Sequence, residues 1–295
     1  MDISSAYTLT DPATGNLSLK LFSFENNNHF DHIQHNNYYS IIWLHQGTGR
    51  LKSDFSTYEF DADNLLAFAP YQPFMLCASS QLSGVALQFH SDFFCVHMHH
   101  REVSCNGVLF NNIYQAPYVK VDDGSAVIFN MVIEQMKMEM MHKELAQYDA
   151  LISYLKIFLV TASRLKIQQR EALVSLSDSQ YKEPPILQHL KDAIESNYKM
   201  KHSASDYASL LNISTKALGR ITKAHFNKTL THLIAERIIV EAKRELYMTN
   251  KPVKEIAYEL GYEDEFYFSR FFKANTDISP QLFRNTVGFG RDTVL

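Results

Sequence analysis

Apolar and polar residues change rhythm twice along the chain. Up to about residue 120, short apolar or alternating runs stand out: LSLKLFSF (17–24), YYSIIWLH (38–45), NLLAFAP (64–70) and SGVALQF (83–89). Turn-rich HQGTGR, DADN and PYQP separate them. This pattern predicts antiparallel strands in a small sandwich or barrel. Beyond residue 122 the period lengthens. Ile128, Val132 and Met136 recur every four residues, and Ile152, Leu155, Phe158, Leu159 and Ala162 stripe a second segment, predicting helices at about 124–143 and 148–170. The polar stretch SLSDSQYKEPP ends in two prolines and reads as a linker at 173–185, with Pro185 suited to open the helix ILQHLKDAIESNY.

Past that helix the chain repeats itself. SASDYASLLNISTKALGRITKAHF (203–226) is followed about fifty residues later by VKEIAYELGYEDEFYFSRFFKAN (253–275). In each copy a small residue, Ala208 or Ala257, precedes a turn residue by four positions, Asn212 or Gly261. Asn and Gly tolerate the left-handed conformation that ends a helix. Ser214 and Asp264 are suited to cap the next helix. That is helix-turn-helix spacing, present twice. Within the second helices, Leu218, Ile221 and Thr222 match Phe268, Phe271 and Phe272 as inward positions. The opposite stripe is Lys216, Gly219, Arg220 and Lys223 in the first copy, and Phe266, Ser269, Arg270 and Lys273 in the second. Cations late in an exposed stripe suit a helix lying in a major groove. The 18 residues THLIAERIIVEAKRELYM between the copies predict a rod about 27 Å long, near the ~34 Å that separates successive major grooves.

Composition sharpens this picture. The net charge of −4 divides into +3 from residue 185 onward and −7 before it, so the C-terminal part is the one suited to a polyanion. No apolar run approaches the ~18 residues of a membrane span, and the polar start MDISSAYTLTDPATG predicts no signal peptide. Three cysteines without CxxC spacing argue against a disulfide framework, so a cytoplasmic protein of bacterial type is expected.

The Gly-Tyr turn, the Phe-Ser-Arg-x-Phe-Lys core and the Ser-Pro-x-x-x-Arg ending, all within IAYELGYEDEFYFSRFFKANTDISPQLFR, together with LAERIIVEAKREL upstream, resemble the DNA-binding domain of the AraC/XylS family of bacterial transcription regulators. The resemblance covers 186–284. It implies seven helices, with recognition helices at about 214–226 and 264–275. It also implies a DNA-facing set of Lys216, Gly219, Arg220 and Lys223 in one helix, and Glu265, Phe266, Tyr267 and Arg270 in the other. Two departures stand out. Gly219 leaves no side chain where the family often reads a base, and Glu263, Asp264 and Glu265 make the start of the second helix acidic.

The first 122 residues are similar to the cupin-type sensor region of that family, and residues 123–172 to its helical dimerisation segment. The expected fold class is therefore α+β: a β-rich cupin-like barrel, a helical segment, a linker, and an all-α domain at 186–295 with two helix-turn-helix motifs. Metal-dependent cupins place His-x-His and then a carboxylate after the first glycine strand, whereas GTGRLKSDFSTYEF holds no histidine. His29, His32 and His35 precede it without such spacing, and the cluster CVHMHHREVSC (95–105) lacks paired ligand geometry. No metal or other cofactor and no catalytic residue is expected, so an enzyme gives way to a DNA-binding regulator. The expected regulator is a homodimer, joined through Leu155, Phe158 and Leu159. It acts on operator DNA with RNA polymerase, most simply as a nucleoid-associated activator, away from membranes. A small organic effector would be held by Tyr38, Ile42, Trp43, Phe68 and Phe74. The alternative for the front domain is an effector-independent dimerisation module.

Overall fold

The computed structural model describes residues 6–11, 15, 17–99, 103, 107–142, 144–176 and 185–287. Most of the expected linker at 173–185 lies outside the described residues. The chain divides into two compact units, one of residues up to 170 and one from 171 onward, with the short stretches 54–57 and 113–116 grouped with the second.

The first unit contains nine strands among the described residues: β1 (Tyr7–Thr10), β2 (Leu17–Phe24), β3 (Tyr39–Gln46), β4 (Gly49–Ser53), β5 (Ser56–Phe60), β6 (Asn64–Phe68), β7 (Phe74–Ala78), β8 (Ser83–Phe89) and β9 (Tyr118–Lys120). Six form an antiparallel sheet in the order β1-β2-β8-β3-β6-β9, and the other three form a sheet in the order β5-β4-β7. The larger sheet is buried on both faces. Phe22, Phe24, Ile42, Leu44, Leu66, Phe68 and Ala86 meet Leu51, Phe60, Phe74 and Leu76 of the smaller sheet. The alternate residues Leu19, Leu21, Ile41, Trp43, Leu65, Val85 and Leu87 belong to a separate core. Successive side chains on a strand point to opposite faces, so a sheet covered twice reads as continuous apolar runs.

Two helices supply the other side of that second core. Helix α1 (Asp123–Met141) opens with Asp122 accepting a bond from the Ser125 amide at 2.7 Å, and α2 spans Gln147–Leu176. Phe129, Val132, Ile133 and Met136 of α1 and Leu151, Leu155, Phe158, Leu159 and Ala162 of α2 share one cluster with the sheet. A subunit contact was expected at Leu155, Phe158 and Leu159. They are 0, 2 and 0% exposed, and Phe158 stacks on Phe129 at 4.4 Å, so their surface is already used within the chain. The large apolar residues left exposed include Val127, Ile128, Met131, Met138 and Met141 on α1 and Tyr148, Ile157 and Ile167 on α2.

The second unit is helical: α3 (Pro185–Asn197), α4 (Ala204–Leu210), α5 (Thr215–Phe226), α6 (Leu230–Met248), α7 (Val253–Glu259), α8 (Glu265–Thr276) and α9 (Pro280–Val287). Pro185 stands at the first position of α3, where its missing N–H costs nothing. Arg237 fastens α3 to α6. Its guanidinium lies 3.9 Å from the centre of the Tyr198 ring and binds Glu195 at 2.8 Å and Glu241 at 3.2 Å. Burial pushes the Glu241 carboxyl up, but Arg237 and Arg244 hold it below its ordinary range.

Candidate nucleic-acid interface

Helices α4 and α7 end in the same way. The amide of Ile213 reaches back to the Ala208 carbonyl at 3.0 Å, and that of Tyr262 to Ala257 at 2.9 Å. Asn212 and Gly261, the residues before them, have φ of 52° and 80°. This six-to-one bond around a left-handed residue satisfies carbonyls that the helix end would orphan. The second copy needs glycine for a further reason. A Cβ on Gly261 would stand 2.1 Å from the Lys199 carbonyl oxygen and 3.2 Å from His202 Cε1. The turn is thus pressed on the loop between α3 and α4. There His202 lies 4.8 Å from the Tyr262 ring, and burial lowers its pKa below the ordinary histidine value, outweighing backbone hydrogen bonds with Leu260 and Tyr198 that act the other way.

The helices that follow match residue for residue with an offset of fifty. Ser214 caps α5 by accepting from the Ala217 amide at 3.2 Å, and Asp264 caps α8 by accepting from the Phe266 amide at 2.7 Å. Leu218, Thr222, Phe268 and Phe272 are buried, whereas Ile221 and Phe271 are half-buried. Asn227 and Asp277 close the two helices in the left-handed conformation. Both helices therefore turn the same face inward and the same face out.

The outward faces hold the expected residues. Lys216, Gly219, Arg220 and Lys223 are all exposed on α5; Phe266, Tyr267, Arg270 and Lys273 are exposed on α8, with Glu265 and Ser269 half-buried beside them. Nothing lies within 4 Å of a Cβ built on Gly219. Lys223 folds back to donate to the Asn227 carbonyl at 3.2 Å. Helix α6, which joins the two motifs, has 19 residues and is about 28 Å long.

Two residues escaped the sequence reading. Tyr258 on α7 is 53% exposed, under Lys254 at 5.8 Å. Arg284, the last residue of the Ser-Pro-x-x-x-Arg ending, is buried and donates to the Leu246 carbonyl at 3.2 Å and the Lys251 carbonyl at 2.6 Å. It satisfies carbonyls at the C-terminus of α6 and beyond it, which is a structural task. Its spacing from Pro280 was visible, but its partners 33 and 38 residues away were not.

In the first unit the expected effector residues separate. Ile42, Phe68 and Phe74 share the core between the sheets, where Phe68 and Phe74 stack with centroids 3.8 Å apart. Trp43 lies on the opposite face against Phe129 at 5.6 Å, and Tyr38 is half-buried beside His90 at 6.3 Å. An open groove of about 650 Å³ lies elsewhere, near the edge strands β5 and β9. Arg50, Glu59, Asp61, Asn64, Tyr118 and Lys120 line it. Lys120 pairs with Asp61 at 3.0 Å, and burial raises the Tyr118 pKa, helped by Tyr58, Asp61 and Glu59. Among the described residues no group of three or more His, Cys, Asp or Glu could hold a metal ion, and His100 and Cys105 lie outside them.

Known proteins share this arrangement. A family described as helix-turn-helix domain matches residues 207–286. The raffinose operon transcriptional regulatory protein RafR of Pediococcus pentosaceus is 32% identical over 95 residues, 32% of this chain and 34% of that one. The HTH-type transcriptional activator AarP of Providencia stuartii is 33% identical over 91 residues, 31% of this chain and 67% of that one. Among solved structures, apo ToxT of Vibrio cholerae aligns over 92% of this chain and 99% of its own, at 14% identity and a TM-score of 0.41. The match to RafR spans about a third of that protein's length.

Proposed function

Because the chain belongs to the AraC/XylS family of transcription regulators, we propose that α5 and α8 enter successive major grooves on one face of operator DNA and that the protein controls transcription from there. The observation that carries this reading is the fifty-residue register of α5 and α8: equivalent caps, equivalent buried residues, and outward faces bearing Arg220 and Lys223 on one helix and Arg270 and Lys273 on the other. A rod of about 28 Å sets them near the spacing of major grooves on one DNA face. Arginine reads guanine edges with two hydrogen bonds, and lysine holds phosphate. The protein acts at the bacterial nucleoid in the cytoplasm, as an activator that works with RNA polymerase. Selecting duplexes from a random library with the full chain tests this. Enrichment of a two-part site that Arg220→Ala binds with relaxed preference in one part supports it, and no enrichment refutes it.

Two further parts of the proposal concern the first unit. It pairs with a second copy through the exposed face of α1, where Val127, Met131, Met138 and Met141 recur at helical spacing. It holds its effector in the groove at the sheet edges, whose size suits a small organic molecule and whose lining favours a polar one. The stacking of Phe68 on Phe74 favours one alternative, a dimerisation module without effector. A promoter reporter under varied growth conditions separates them. Induction that Lys120→Ala or Asn64→Ala abolishes supports the groove, and a reporter indifferent to both supports the module.

A further inference from the structure

The two recognition helices differ in one respect that the repeat makes conspicuous. Where α5 has Lys216 and Ala217, α8 has Phe266 and Tyr267, which are 73% and 58% exposed. Leaving such rings in water is unfavourable, and contiguous apolar surface on a folded domain marks a contact site. The Phe266 ring is among the most exposed large apolar side chains of the second unit, and Tyr267 lies 5.9 Å from Tyr262 and 5.9 Å from Arg270 of its own motif. The acids at the start of α8, Glu263, Asp264 and Glu265, repel phosphate, so this end of α8 gains little from the charge of DNA. Yet the cluster is continuous with Ser269, Arg270 and Lys273 on one helical stripe, and that stripe is the face that the repeat aligns with Lys216, Arg220 and Lys223. The occupant must therefore be something apolar within a major groove. Base edges there offer one such group, the C5 methyl of thymine.

We propose that α8 reads its half-site through thymine methyls packed on Phe266 and Tyr267, whereas α5 reads its own half-site through the hydrogen bonds and charge of Lys216 and Arg220. The half-site under α8 is then thymine-rich, and the one under α5 contains guanine. Glu265, half-buried at the first helical position, accepts from an amino group of the adjoining cytosine or adenine. Binding through α8 depends less on salt than binding through α5, because methyl contacts release no counterions.

This inference rests on the DNA-binding reading, and the test separates the two. A duplex selected by the full chain is divided into its halves by finding which half Arg220→Ala relaxes. Each thymine of the other half is then replaced by deoxyuridine, which removes only the methyl. Losing one packed methyl should weaken binding about fourfold. Phe266→Ala should bind the thymine duplex about as weakly as the parent binds the uracil duplex, and should not distinguish the two. Phe266→Leu should retain most of the discrimination, and circular dichroism checks that each variant is folded. If the full chain selects no duplex, the DNA-binding reading itself fails. If it selects one but uracil costs less than twofold, or Phe266→Ala remains as sensitive to uracil as the parent, the methyl reading is overturned and the aromatic cluster is a protein-docking surface instead.

Discussion

Two glycine-to-alanine changes in the second unit should move stability in opposite directions. At Gly261, alanine must hold a φ of +80°, which costs an L-residue about 1–2 kcal/mol. Its methyl would also stand 2.1 Å from the Lys199 carbonyl oxygen and 3.1 Å from the carbonyl carbon, backbone atoms that no rotamer can move. Forcing a group into a filled site costs about 1–3 kcal/mol. The expected destabilisation is therefore about 2–5 kcal/mol, a large share of the ~5–15 kcal/mol that holds a domain together. At Gly219 a methyl meets nothing within 4 Å, and alanine in a helix interior gains about 1 kcal/mol over glycine. In urea unfolding, far-ultraviolet circular dichroism sees α3–α9 together with α1 and α2, while fluorescence of Trp43, the chain's single tryptophan, reports on the first unit alone, so a dichroism shift without a fluorescence shift belongs to the second unit. Gly261→Ala should move the dichroism transition to lower urea, Gly219→Ala should move it slightly higher, and the fluorescence transition should stay in place. A Gly261→Ala chain within 0.5 kcal/mol of the parent, or a Gly219→Ala chain less stable than it, would refute the geometry.

Other expectations can be checked as directly. Arg220→Ala and Arg270→Ala should each cost about 1–3 kcal/mol of affinity for a selected duplex and relax base preference locally, whereas Lys223→Ala and Lys273→Ala should weaken all duplexes alike and each lower the salt slope by about 1 in filter-binding titrations. Arg284→Met leaves the Leu246 and Lys251 carbonyls unpaired and should destabilise the second unit by about 2–4 kcal/mol in urea melts, whereas unchanged stability would deny it that role. His202 has a folded pKa below its unfolded value of about 6.5, so the unfolded chain binds the proton more readily. The second unit should lose stability as pH falls below that value, and His202→Gln should flatten the loss in melts between pH 7 and 5. Met131→Lys combined with Met138→Lys should give folded monomers in sedimentation if α1 joins two copies, and an unchanged mass would move the contact elsewhere.

The second unit was legible because its rules are local. Asn212, Gly261, Ser214 and Asp264 each act on atoms within a few residues, and the offset of fifty made every assignment twice. The helices expected at about 214–226 and 264–275 run from 215 to 226 and from 265 to 276. The first unit was only half legible. The longer strands were visible as apolar runs, but periodicity says that a residue is buried, not against what. Trp43 and Ile42 are neighbours in one such run and face different cores. The α2 stripe was equally ambiguous, because Leu155 and Leu159 are buried while Ile157 between them is exposed. The groove collects side chains from β4, β5, β6 and β9, which no window of sequence contains.

Helix α6 has two roles at once. By the fifty-residue register it is to the first motif what α9 is to the second, since Leu230 stands where Pro280 stands, both buried. It also spans most of the distance to the second motif, ending at Met248 with the short non-helical segment 249–252 before α7. The number of residues in this helix therefore enters both the distance and the angular phase of α8 relative to α5. One inserted residue would turn the second motif by about 100° and advance it about 1.5 Å, aiming its face away from the groove. Seven would bring the face nearly back into phase, but displaced by about 10.5 Å, close to three base-pair steps along the duplex. Substitutions on the outward stripes can thus change which bases each half prefers, but a change of length within α6 re-aims the whole second motif, which makes operator spacing far slower to drift than operator sequence.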